Sequence, residues 1–238
     1  MKSNKGFWIT AGAAILAAVI LAAVLLAGRR EASAQGNEQG GTLADALNGG
    51  SARDKYMTEE AAIIRRMKDE MLIREASGSA PIDFLKGMIP HREAEVSMAE
   101  SYLKYGGESR ELEDLARDIV TARKEELDQM NDLLKQYQES KETDEEKEAL
   151  YLEDCSRIFG TEEDSSRRAG EDPDTIDQAF AWGMLRCHQM AADMARSILE
   201  HTEEGADEEL RGLAETILES QEEEIRRMES LLSDKNTL

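Results

Sequence analysis

Residues 84–103 read FLKGMIPHREAEVSMAESYL, and residues 180–199 read FAWGMLRCHQMAADMARSIL. Aligned, Phe84, Met88, Met98, Ala99 and Leu103 recur 96 positions later as Phe180, Met184, Met194, Ala195 and Leu199. Past the following turn the offset becomes 98. There Leu112, Leu115, Ala116, Ile119, Glu126, Met130, Leu133 and Leu134 recur as Leu210, Leu213, Ala214, Ile217, Glu224, Met228, Leu231 and Leu232. Packed helices share a generic leucine pattern, but Phe, Met and Glu held in one register over two segments indicate a duplicated helical hairpin. The repeats run from about 79 to 139 and from about 173 to 233. Two such hairpins predict an all-α fold built on a four-helix bundle.

The rest of the chain agrees with an all-α class. There are only 3 Pro and 5% aromatic residues, and the abundant Glu, Leu, Ala, Met and Arg are good helix formers. Ile64, Met67 and Met71 predict a leading helix from Thr58 to Ala76, stopped by Gly78. Ser79 and Pro81 open the next helix and Gly106-Gly107 end it; a third runs from about Ser109 to Glu139. A capping box of Thr143 with Glu146 starts a shorter helix carrying Leu152, Cys155 and Phe159, closed by Gly160. After a polar loop over 161–172, Pro173 leads into a helix to about His201, and a last one fills Asp207 to Ser233. Residues 31–55 are rich in Gly, Ala, Ser and Asn without apolar periodicity, the composition of a flexible linker, which leaves 56–238 as the helical domain.

Residues 1–30 have a different chemistry. Phe7 to Ala27 is a run of 21 residues without a charge, enough to cross a bilayer core of roughly 30 Å as a helix. A short basic N-terminus before it and a long acidic domain after it suit an N-in, C-out signal anchor. Ala32-Ser33-Ala34 offers the alternative of a cleaved signal peptide, and both readings export the domain. The net charge of −22 excludes nucleic acid as a partner, because such a surface repels phosphate. In an exported domain Cys155 and Cys187 are either a disulfide pair or two thiols.

Within each repeat the chemistry-bearing residues share a helix face. Phe84, Met88, His91, Glu95 and Met98 follow steps of 4, 3, 4 and 3, and the second copy offers Phe180, Met184, Cys187, Ala191 and Met194. The partner helices add Glu126 with Met130 and Glu224 with Met228 at i, i+4. Thioether, thiolate and imidazole together favour Cu(I), whereas imidazole with carboxylate suits Cu(II) or Zn(II). Against this stands ordinary packing, since Met at helical core positions fills space flexibly. The acidic runs at 142–148 and 203–209 read as solvated faces, and His201 suits the last turn of its helix.

The stretches Asp83 to His91 with Met98-Ala99, Met184 to Ala195, and Gln221, Glu224-Ile225 and Met228 resemble the family catalogued as Domain of Unknown Function 305. Its members are ferritin-like, typically exported, and several are linked to copper. The resemblance implies a copper ligand set of Met184, His188, Met194, Met228 and Glu224, with Cys187 joining when reduced. In the first repeat the matching positions are Met88, His91, Met98, Glu126 and Met130. The family usually has two adjacent histidines where this chain has His91-Arg92 and Cys187-His188, and its later Gln, kept as Gln221, is Arg123 in the first repeat. A cation beside a site weakens metal binding, so these arginines predict salt bridges to Glu95 or Glu126 in place of a metal contact. The expected function is extracytoplasmic copper binding without catalysis; the alternative is a structural or protein-interaction bundle with a degenerate metal site. Di-iron chemistry requires Glu-x-x-His on two helices, and none of His91, His188 and His201 has Glu three residues before it.

Overall fold

The computed structural model describes residues 50–165, 173–202 and 207–233, and among these the side chains of all but 161–165. The expected membrane segment and most of the expected linker lie outside the described residues. Among those described there are six helices and no strand: α1 (Ala52–Glu70), α2 (Ala80–Tyr105), α3 (Arg110–Ser140), α4 (Glu145–Ser165), α5 (Ile176–His201) and α6 (Glu208–Ser233). None is long and apolar enough to cross a membrane.

The two repeats are the hairpins α2/α3 and α5/α6, and they meet along α2 and α5. These two helices run antiparallel. The Met194 methyl lies 3.2 Å from where a Cβ on Gly87 would stand, and the Met98 methyl 3.0 Å from the same point on Gly183. Gly87 and Gly183 are equivalent positions of the two repeats, as are Met98 and Met194. Each copy therefore seats its methionine on the other's glycine, a reciprocal contact expected of a duplication folded about a pseudo-two-fold axis. Tyr102 stacks on Phe180 at 4.3 Å between ring centroids, which closes one end of the seam.

Helices α1 and α4 flank this seam, α1 against α2 and α5, and α4 against α5 and α2. Four predicted boundaries need correction. Helix α1 begins at Ala52, inside the predicted linker, because Ser51 and Asp54 form a reciprocal capping box: Asp54 N donates to Ser51 Oγ at 3.2 Å and Ser51 N to Asp54 Oδ2 at 3.0 Å. It ends at Glu70, since the apolar stripe stops at buried Met71 and Leu72 is half exposed. Helix α4 is capped by Asp144, which accepts from Lys147 N at 3.1 Å, rather than by Thr143. It also runs through Gly160 to Ser165. Glu148 of α4 accepts from the N–H groups of Gly78 and Ser79, supplying the cap that Ser79 does not make with its own side chain.

Pro90 lies inside α2, and the helix continues through it despite the missing donor. The predicted apolar faces are the buried ones. Phe84, Met88, His91, Glu95 and Met98 are inaccessible to solvent, as are Phe180, Met184, Ala191 and, within a few per cent, Cys187 and Met194.

Candidate functional site

The residues singled out by sequence gather in the interior as two distinct groups. The first is an ion cluster. Glu95 Oε2 accepts from Arg92 Nη1 at 2.6 Å and from Arg123 Nε at 2.8 Å. Arg92 Nε lies 2.9 Å from Glu126 Oε2, and Arg123 also donates to Glu126 Oε1 at 3.0 Å and to Glu224. His188 lies between two carboxylates, with Nδ1 3.0 Å from Glu95 Oε1 and Nε2 2.5 Å from Glu224 Oε2. Gln221 Oε1 accepts from Arg92 at 3.3 Å, and Gln221 Nε2 donates to Glu224 at 3.2 Å. The salt bridges predicted for Arg92 and Arg123 are present. The convergence of His188 on the same carboxylates was not visible in sequence.

Electrostatics follows from this geometry. Burial opposes charge on His188, but Glu95 and Glu224 outweigh it and raise its pKa. Burial likewise opposes ionisation of Glu95, yet Arg92, Arg123 and His188 hold it well below the usual carboxylate range. Arg92, Arg123 and the His188 ring thus face three carboxylates, Glu95, Glu126 and Glu224. With His188 protonated the charges of the cluster balance, the condition under which buried charges are tolerated.

The second group is softer. Cys187 Sγ donates to Met98 Sδ at 3.9 Å. The neighbouring His91 is held by one bond, Nε2–H to the Cys187 carbonyl oxygen at 3.1 Å. A carbonyl only accepts, so this bond leaves the His91 Nδ1 lone pair facing Glu95 Oε1 at 4.0 Å. Burial, with Arg92 nearby, pushes the His91 pKa down to about 4 although Glu95 opposes the shift, and the ring is neutral. Cys155 and Cys187 are both buried thiols and are not joined to each other.

Met88, Met130, Met184 and Met228 are buried in the shared apolar core. Among the described residues no three His, Cys, Asp or Glu side chains form a ready-made metal site. His201 points to α4 rather than to its own helix end. Its Nε2 lies 2.8 Å from Asp154 Oδ2, which also accepts from Ser197 Oγ at 2.8 Å.

Two polar residues of α1 also enter the interior, and the sequence reading passed over both. Glu60 and Tyr56 are buried, and the Tyr56 phenol is the hydrogen-bonding neighbour of the Glu60 carboxylate. Burial pushes the Glu60 carboxyl up to about 7, with Arg186 and Tyr56 opposing. The available signal was a carboxylate on the stripe Tyr56, Glu60, Met67, Met71 at helical spacing.

The family model described as Domain of unknown function (DUF305) matches residues 32–232. The chain belongs to the DUF305 family. It matches no curated protein. Among solved structures, CopM in the Ag-bound form, obtained by soaking, is 26% identical to this DUF305 chain. That match covers 63% of this chain and 92% of CopM, with a TM-score of 0.46. Against the DUF305 pattern quoted above, the departures at Arg92 and Arg123 are the residues that build the ion cluster.

Proposed function

We propose that this DUF305 protein binds copper(I) outside the cytoplasm, anchored through its uncharged N-terminal segment, and that sulfur carries the metal. The supporting observation is the Cys187 Sγ to Met98 Sδ contact at 3.9 Å, a thiol and a thioether from different helices meeting in the interior. Two sulfurs at roughly 2.3 Å from one ion can be at most about 4.6 Å apart, so this pair suits a shared ion. Thiolate with thioether selects Cu(I) over harder ions. The thiol proton leaves to solvent when the metal binds.

The histidine–carboxylate cluster does not fit a metal. Guanidinium groups supply its positive charge, and a carboxylate already stands beside each ring nitrogen of His188. That same observation favours a second reading, a structural bundle in which arginines have replaced the cation of an older site. Metal analysis separates the two. The full chain, purified in detergent from cells grown in copper, should carry about one copper per chain by inductively coupled plasma mass spectrometry, and His188→Ala should keep it. A copper-free wild type, under reducing purification, leaves the structural reading.

A further inference from the structure

The C-terminal end of α1 leaves a cavity of about 360 Å³ between α1, α4 and α5. Small-molecule sites occupy roughly 300–1,000 Å³ and are lined mainly by apolar side chains with a few placed polar groups. The apolar lining here is Met71 and Leu72, just past α1, with Phe159 of α4 and Met190 of α5. Met71 and Met190 are buried, whereas Leu72 is 51% exposed, one of two large apolar side chains left open among the described residues. Arg65 and Lys68, three residues apart on α1, line the same cavity. Asp69 lines it too, but its carboxylate is taken by Arg74 at 2.7 Å. Neither Arg65 nor Lys68 has an ion-pair partner among the described residues, in a chain with 51 acidic side chains against 29 basic ones.

We infer that this cavity binds a medium-chain fatty acid, with the acyl chain on Met71, Leu72, Phe159 and Met190 and the carboxylate between Arg65 and Lys68. The four apolar side chains offer contact to hydrocarbon and no strong hydrogen-bonding group to a polar body. Two of them are thioethers, which adapt to a flexible chain. The unpaired cations favour an anionic head that the acidic surface elsewhere repels. The volume suits one short acyl chain rather than a two-chain lipid. None of these side chains belongs to the Cys187 and Met98 pair or to the ion cluster, so the inference is independent of the copper reading.

The test uses the full chain in phosphatidylcholine nanodiscs, free of detergent that would itself fill the cavity, with a photoreactive diazirine analogue of decanoic acid as the probe. After illumination, peptide mass spectrometry should find the label on the segments that hold Leu72, Phe159 or Met190. Decanoate should suppress this labelling, and decanol should do so only weakly. Arg65→Gln together with Lys68→Gln should raise the decanoate needed for half suppression by roughly 3- to 10-fold, since each exposed ion pair contributes modestly. Leu72→Asp should abolish the label at unchanged melting temperature, because position 72 is half exposed, while Leu150→Asp at the other exposed apolar position should leave it intact. Label absent from these segments or spread over the surface overturns the site. Equal suppression by decanol, or by decanoate in the double variant and wild type, overturns the anionic head. Suppression by phosphatidylglycerol in the nanodisc as strong as that by decanoate gives the cavity to membrane lipid and overturns the free acid.

Discussion

Glu95 has no counterpart in the second repeat, where Ala191 stands 96 positions later, and the ion cluster is built around this asymmetry. Removing one partner of a buried ion set leaves charge uncompensated, so Glu95→Ala should cost about 3–5 kcal/mol in denaturant unfolding. Glu126→Ala should cost less, because that side chain is 13% exposed and water can replace it. The two interior histidines set opposite pH limits. His91 has its pKa lowered by burial from 6.5 to about 4, so the unfolded chain takes up this proton first and stability falls as pH drops through that interval. The slope is at most about 1.4 kcal/mol per pH unit for one group. His188 is raised, so its contribution is complete below its ordinary value and is lost as pH rises through the folded one. Melting temperature against pH should therefore peak between these limits, with His91→Gln flattening the acid side and His188→Gln the alkaline side. The pairing of Arg92 and Arg123 with Glu95 and Glu126 was legible because those residues lie three or four apart or on matched faces. The engagement of His188 was not, because it depends on how far α2 slides along α5, and no local pattern encodes that.

At the scale of elements, the hairpins were legible and the accessory helices only partly so. Two copies of one apolar periodicity define α2, α3, α5 and α6 twice over, whereas α1 and α4 each appear once and have blurred ends. Asp54 with Ser51 looked like linker composition until the reciprocal cap placed them at a helix start. Gly87 and Gly183 test the packing of the repeats on one another. A Cβ at Gly87 meets only the flexible end of Met194, but at Gly183 it meets both Met98 and the Glu60 carboxylate. Gly183→Ala should therefore be the more damaging of the pair, by about 1–3 kcal/mol where overpacking forces shifts. It should loosen α1, seen as faster amide hydrogen exchange over 52–70 than in Gly87→Ala.

For the whole molecule, an acidic helical domain follows an uncharged segment of 21 residues, Phe7 to Ala27. We expect the full chain to remain in the membrane fraction through alkaline washing, with protease added outside removing the domain. Recovery in the medium with Gln35 as the first residue would establish cleavage instead. On the proposed reading, arginines occupy the histidine–carboxylate cluster of this bundle and the metal goes to sulfur. Copper K-edge X-ray absorption on the Cu(I)-loaded full chain tests it most directly. The first shell should be dominated by sulfur, with at most one light-atom ligand and none of the outer-shell scattering that imidazole rings produce. A first shell of two or more imidazole nitrogens would contradict it.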